Sequence, residues 1–290
     1  MTRPLPARTR QRHPREQACP RGRSGALYGR FPVVLAVAAL AAGLLSGCGL
    51  GSKTNPSGGN ALPKVGTCRM LDPSETQPLA APEVACTAEH NAQTYHAAKL
   101  TGSLAEADYR SRAVEVAAAT SCGALFPDQL GTDLSTAMRS LVTWRVFWPS
   151  KSAWRNGSTW FGCDVIGGPR SPGSTELALL PEQTEGMLTD DRARERWLAC
   201  VAGPSVTDGL KVPCTKDHDW RAVTTIKLGE PTDPYPGDRA VVQRTEDFCG
   251  SSVKAWLSYP ETFDFAYTWF GKGAWEGGNR RSVCWARTNR

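Results

Sequence analysis

The sequence predicts an α+β protein: two tandem small modules, each a β-β-α-β-β antiparallel sheet with one packed helix and two disulfides, behind an N-terminal signal or anchor helix. Three observations predict it. Cysteines recur as two matched sets of four, short motifs recur in register with them, and a basic N-terminus runs into one uncharged apolar stretch. A chain of 290 residues allows one large domain or two small ones. The internal repeat selects two.

The N-terminal element comes first. Of the 34 Lys and Arg residues, eight fall within residues 1–47 (Arg3, Arg8, Arg10, Arg12, Arg15, Arg21, Arg23 and Arg30) against one acid, Glu16. Phe31–Leu45 follows without a charge, and then Ser46-Gly47-Cys48. A basic start, an apolar core and small residues at a cut describe a secretory signal. Leu45-Ser46-Gly47-Cys48 resembles the lipobox of bacterial lipoproteins, which implies cleavage before Cys48 and a diacylglycerol on its thiol. Residues 48–63, rich in Gly, Ser, Asn and Pro, read as a flexible tether.

An uncleaved anchor is the alternative, because Phe31–Ser52 is uncharged and about 20 apolar residues span a bilayer. Glycines and serines crowd its C-terminal third and weaken it as a helix in lipid. Either reading places residues 53–290 on the extracytoplasmic face of the cell membrane. Cleavage also removes most of the positive charge: 26 basic and 27 acidic side chains remain after residue 47. That balance lacks the basic footprint that phosphate neutralisation requires, so nucleic acid is excluded as a partner.

With Cys19 in the N-terminal segment and Cys48 as the lipid site, eight cysteines remain, an even number suited to an oxidising compartment. They are Cys68, Cys86, Cys122, Cys163 and then Cys200, Cys214, Cys249, Cys284. Their surroundings match. Cys86-Thr87-Ala88-Glu89-His90 answers Cys214-Thr215-Lys216-Asp217-His218, and Lys99-Leu100 answers Lys227-Leu228. Cys122-Gly123 answers Cys249-Gly250, and the stretch from Trp148 to Trp154 answers that from Trp269 to Trp275. The residues after position 63 therefore read as a tandem duplication, with modules at 64–185 and 186–290.

Each module reads alike. A short strand carries the first cysteine, and a second runs from the Cys-Thr-x-acid-His turn to Lys-Leu. A helix ending near the third cysteine follows, with Tyr109, Ala113, Val116, Ala117 and Ala124 on one face in the first copy. In the second copy Val241, Phe248, Cys249 and Trp256 share a face, Asp238 is the expected N-cap, and Pro127 and Pro260 fall just past the helices. Val142, Trp144, Val146 and Trp148 alternate as a strand, as do Phe263, Phe265, Tyr267 and Trp269. A last strand bears the fourth cysteine.

Four cysteines allow three pairings, and sequence does not choose among them. Topology favours first-to-fourth and second-to-third: Cys68–Cys163 and Cys86–Cys122, then Cys200–Cys284 and Cys214–Cys249. Two such bonds would stabilise each small module by about 2–4 kcal/mol apiece.

The Cys-Thr-x-acid-His turn, the Cys-Gly pair and the Trp-rich stretch before the last cysteine resemble the septum formation family. The resemblance covers nearly all of residues 64–290, once per copy. It implies an envelope protein of high-GC Gram-positive bacteria, lipid-anchored or single-span, linked to cell division, and it implies no reaction. The family motif has an acid about three residues after the histidine; Gln93 and Arg221 stand there instead.

His90 and His218 are the sharpest polar candidates. The favoured reading is that each imidazole braces its turn, with Glu89 or Asp217 nearby to hold it. Contact with a partner is one alternative. Zinc on a Cys-x3-His pair is another, and it would need a thiolate and two more ligands. Gly-x-Ser-x-Gly and His-Glu-x-x-His are both missing, so no catalytic residue and no cofactor is assigned. Trp148, Trp154, Trp269 and Trp275 either fill small cores, the favoured reading, or form an aromatic surface that grips a wall glycan or peptide. The expected function is a non-catalytic contact module for division or envelope proteins, with peptidoglycan or cell-wall glycan binding as the alternative and a secreted enzyme with no recognisable motif as the second alternative.

Overall fold

The structure is a computed structural model and describes residues 61–72, 81–169, 176–230 and 232–288. The expected signal, Cys48 and nearly all of the tether lie outside the described residues.

Each half opens on a hairpin. In the first, β1 (Cys68–Arg69) pairs with β2 (Glu83–Val84), and β3 (Ala92–Lys99) returns on the other side of β1. Helix α1 (Arg112–Leu130) packs on the sheet, and the short α2 (Leu134–Met138) leads into β4 (Val142–Phe147). After α3 (Lys151–Arg155), β5 (Trp160–Gly167) inserts between β3 and β4. A connector ending in α4 (Asp191–Trp197) leads to the second half.

There β6 (Ala199–Ala202), β7 (Leu210–Pro213), β8 (Trp220–Lys227), α5 (Asp238–Trp256), β9 (Phe265–Thr268), α6 (Lys272–Glu276) and β10 (Arg281–Arg287) follow in the same succession, except that α2 has no counterpart among the described residues. The sheets run β2-β1-β3-β5-β4 and β7-β6-β8-β10-β9, every neighbour antiparallel. Both carry a bulge on the same rung, at Tyr95 in β3 and at Val223 in β8. The fold is thus mixed α+β with two five-stranded antiparallel sheets. The fifth strand in each, β2 or β7, escapes the sequence because two to four residues show no alternation.

The disulfides are Cys68–Cys86, Cys122–Cys163, Cys200–Cys214 and Cys249–Cys284. This corrects the expected first-to-fourth and second-to-third pairing, and the sheet order explains why. Between β1 and β5 stands β3, so Cys68 and Cys163 are two strand spacings apart, about 9–10 Å, beyond the roughly 7 Å limit for a bridge. The hairpin instead brings Cys68 and Cys86 to a Cα separation of 5.3 Å, and α1 brings Cys122 to 5.6 Å from Cys163.

Helix α1 buries another face than expected, whereas α5 keeps Val241 and Cys249 of the four residues expected on its buried face. In α1 the buried stripe is Val114, Ala118, Cys122, Phe126 and Leu130; in α5 it is Val241, Thr245, Cys249 and Val253. Val116, Phe248 and Trp256 are exposed. An alanine-rich helix gives periodicity little to grip, whereas stepping by four from the disulfide cysteine recovers both stripes. Helix α1 runs on through Pro127 to Leu130 and stops at Gly131, whose φ of 70° is left-handed. Asp238 is the first helical residue of α5, not its cap; Gly237 holds that position.

The Cys-Gly motif has a steric origin. A Cβ on Gly123 would lie 3.3 Å from the Trp144 ring, and one on Gly250 the same distance from the Phe265 ring. Glycine lets the aromatic of the edge strand (β4 or β9) lie flush on the helix. The halves meet where Leu141 N–H donates to the Trp197 carbonyl at 2.7 Å and Ala199 N–H to the Arg139 carbonyl at 2.7 Å. Thr225 of β8 also donates to the Ser135 hydroxyl of α2 at 2.9 Å.

Candidate functional site

The two Cys-Thr-x-acid-His turns are built alike. His90 and His218 are both buried. His90 Nδ1 lies 2.9 Å from the Ala88 carbonyl, and His218 Nδ1 lies 2.7 Å from the Lys216 carbonyl. A carbonyl only accepts, so Nδ1 carries a proton. Both Nε2 atoms are buried without a hydrogen-bond partner. The brace is therefore the backbone two residues back; Glu89 and Asp217, expected to hold the rings, are exposed. A Cys-x3-His zinc site needs a thiolate, and Cys86 and Cys214 are disulfide sulfurs that supply none. Among the described residues no cluster of three or more His, Cys, Asp or Glu is placed to hold a metal ion.

Three residues past each histidine, Gln93 and Arg221 stand where the acid was expected. The Gln93 side-chain oxygen accepts from Thr184 N–H at 2.9 Å, and its amide donates to the Glu182 carbonyl at 3.3 Å. Arg221 donates to Glu195 of α4 at 2.8 Å. Both partners belong to the connector between the halves.

The tryptophan elements form the short helices α3 and α6. Trp154 and Trp275 are 7% and 3% exposed, so neither offers a free ring face to solvent. Their indoles are tied down in the same way. Trp154 donates to the Ala107 carbonyl at 3.2 Å and Trp275 to the Asp233 carbonyl at 3.0 Å, each on the loop entering the large helix. Tyr109 and Tyr235 from those loops pack edge-on against them at 5.6 and 5.7 Å. Trp148 is half-buried against Trp154, and Trp269 is exposed. The four rings thus do not assemble into one platform.

Sequence reading missed a buried ion pair. Arg69 and Asp164, 2% and 1% exposed, lie on the face of the first sheet turned away from α1. Arg69 donates to the Thr94 hydroxyl at 2.9 Å, Thr94 donates to Asp164 at 2.7 Å, and Arg69 stands over the Phe147 ring. Burial pushes the Asp164 carboxyl up to about 6, against the pull of Arg69, the Thr94 hydroxyl and Arg145. The same rungs of the second sheet hold Val201, Ala222 and Trp285, an apolar cluster. Two strongly polar residues in otherwise ordinary strands were the available signal.

Sequence reading also missed a Ser-x-x-Lys tetrad in α5, Ser251 to Lys254. Ser251 is exposed, and its hydroxyl donates to the Asp247 carbonyl of its own helix at 3.2 Å. An exposed serine bonded to its own helix is not an activated nucleophile.

No curated protein and no solved structure matches the chain. The model of the family described as septum formation matches residues 65–284, taking both halves in one match. That span covers most of the sequence and all of the geometry above from the first hairpin to the last cysteine, and the chain belongs to the septum formation family.

Proposed function

We propose that this protein is an exported, lipid-anchored, non-catalytic contact module of the cell envelope, acting where the septum is built. Family membership supports a role in division or the envelope. The observation that carries the exported placement is the pairing of all eight cysteines from Cys68 to Cys284. Four disulfides persist in an oxidising compartment and not in a reducing cytosol. Cys48, at the end of the apolar run, is then left for the lipid. Tandem duplication of one module is part of the reading. The shared strand order, the shared bulge and the shared indole ties support it.

The non-catalytic reading rests on how the polar candidates are used. His90 and His218 brace turns, and Ser251 bonds to its own helix. Wall-glycan binding by the four tryptophans has lost its platform, with Trp154 and Trp275 in the core. Metabolic labelling with a clickable fatty acid tests the anchor. Label on the parent chain and none on Cys48→Ser is the expected result; an unlabelled parent overturns it. Depletion of the protein should misplace or delay septa, and normal septa would count against the division role.

A further inference from the structure

Between the halves lies a cleft of about 1330 Å³. Its walls are the outer side of α1, Trp144 on β4, the open face of the second sheet and α6. Six cations line it (Arg112, Lys211, Lys227, Lys272, Arg280 and Arg281) against two carboxylates, Asp233 and Glu276. Residues 48–290 as a whole are almost balanced, so this excess is a local concentration of positive charge.

Some of these groups are committed. Arg280 is stacked over Trp275 at 4.1 Å, and Lys227 is paired with Glu230. Others are poised. Glu276 reaches Arg112 at 3.5 Å across the gap between the halves and Lys272 at 3.9 Å, with both cations well exposed. Lys211 is half-buried on edge strand β7 with no acceptor among the described residues, and burial pulls its ammonium below the ordinary lysine range. An unpaired, desolvated cation is an incomplete interaction that an incoming anion completes.

The cations are spread out along the cleft. Lys211 is level with Trp220 at one end of β8, and Lys227 lies seven residues further along that strand, about 23 Å away at 3.3 Å per residue. A small anion meets one end of such a groove, while a chain meets all of it. Trp144 and Tyr235, both partly buried, also line the walls beside the cations. Aromatic side chains among cations suit a ligand that carries apolar ring faces as well as acid groups.

We propose that this cleft binds a strand of acidic polysaccharide, whose carboxylate or phosphate groups pair with Lys211, Arg112 and Lys272 and displace Glu276 from the last two. The inference goes beyond the contact role proposed above and does not depend on it. The test is calorimetric titration of the full chain with four probes: an oligogalacturonate long enough to span the groove, a phosphomannan, neutral mannan and polyglutamate. At least one acid sugar should bind and neutral mannan should not. Oligogalacturonate alone assigns the acid group as carboxylate, phosphomannan alone as phosphate, and both together as either.

The triple variant Arg112→Gln/Lys211→Gln/Lys272→Gln should weaken binding at least about tenfold, through loss of charge-assisted hydrogen bonds. Removing the same charge from exposed sites elsewhere, Lys64→Gln/Lys99→Gln/Arg155→Gln, should leave affinity unchanged. Glu276→Gln should tighten binding, a gain that misfolding cannot imitate. Failure of both acid sugars to bind overturns the proposal. So does equal affinity for polyglutamate, or equal loss in the control variant.

Discussion

Gln93 and Arg221 stand on the same rung of their sheets, each opposite the first cysteine of its half, and each reaches the connector between the halves. Gln93 takes hold of Thr184 and Glu182, and Arg221 of Glu195. Where an acid was expected, this chain has two clasps on one segment. Their environments differ: Gln93 is buried, and Glu195 is 40% exposed.

Gln93→Ala leaves the Thr184 N–H without its acceptor and should cost about 1–3 kcal/mol of stability. Arg221→Ala breaks a partly exposed ion pair and should cost under about 1 kcal/mol, after solvent screening. Chemical denaturation of the two variants measures the difference. Equal losses would mean that the rung, and not burial, sets the cost.

Asp164 gives stability a pH dependence of unusual sign. Its folded pKa of about 6 lies above the ordinary 3.8, so the folded state takes up the proton first. Its contribution therefore grows as pH falls from above 6 toward 4 and is lost as pH rises through 6, an effect of about 2–3 kcal/mol. Asp164→Asn should flatten that part of the stability–pH curve. A parent curve that falls steadily between pH 7 and 5 and is unchanged in the variant would refute the assignment.

The second half indicates how to repair the ion pair. Asp164→Leu alone strands the Arg69 charge in the interior and should cost about 3–5 kcal/mol. Arg69→Val together with Asp164→Leu approaches the apolar pattern of Val201 and Trp285 and should recover most of that loss. A double variant no more stable than the single one would show that the pair, and not the stranded charge, carries the energy.

How much of this was legible varies with the range of the interaction. The repeat, the Cys-Gly pairs and four strands of each sheet stand in local pattern, and the fold follows from them. Disulfide pairing was not legible, because it depends on which strands are neighbours, and β5 inserts beside β3 only in three dimensions. The face of α1 was miscast for want of contrast around Val116, although Cys122 marked the sheet side; on α5 Val241 and Cys249 were placed on the buried face, and Phe248 and Trp256 were placed there wrongly. The cleft was invisible, since Arg112, Lys211 and Lys272 are far apart in sequence and meet only where the halves join.

Gly123 and Gly250 should resist enlargement. A Cβ at 3.3 Å from the Trp144 or Phe265 ring is a tight contact, and the further methyls of valine overpack it. Gly123→Val should cost about 1–3 kcal/mol. Trp144→Ala in the same chain makes room, so the double variant should lose less than the two single losses added. Additive losses in a double-mutant cycle would remove the contact as the reason for the glycine.

His90 and His218 make the last comparison, between what a turn needs and what an imidazole has to spare. Each turn uses only Nδ1, as a donor to the carbonyl two residues back. An asparagine amide places an N–H close to that position, so His90→Asn should keep the bond, while His90→Ala should lose about 1 kcal/mol or more along with the packing of the ring. Nε2 is different. It is buried and unpartnered in both halves, which costs free energy without serving the turn. If bracing is the whole role, Asn variants at both positions should match the parent in stability and in septum placement. A chain with both asparagines that folds normally but fails in the cell would mean that the idle Nε2 meets a partner, and contact rather than bracing would be its task.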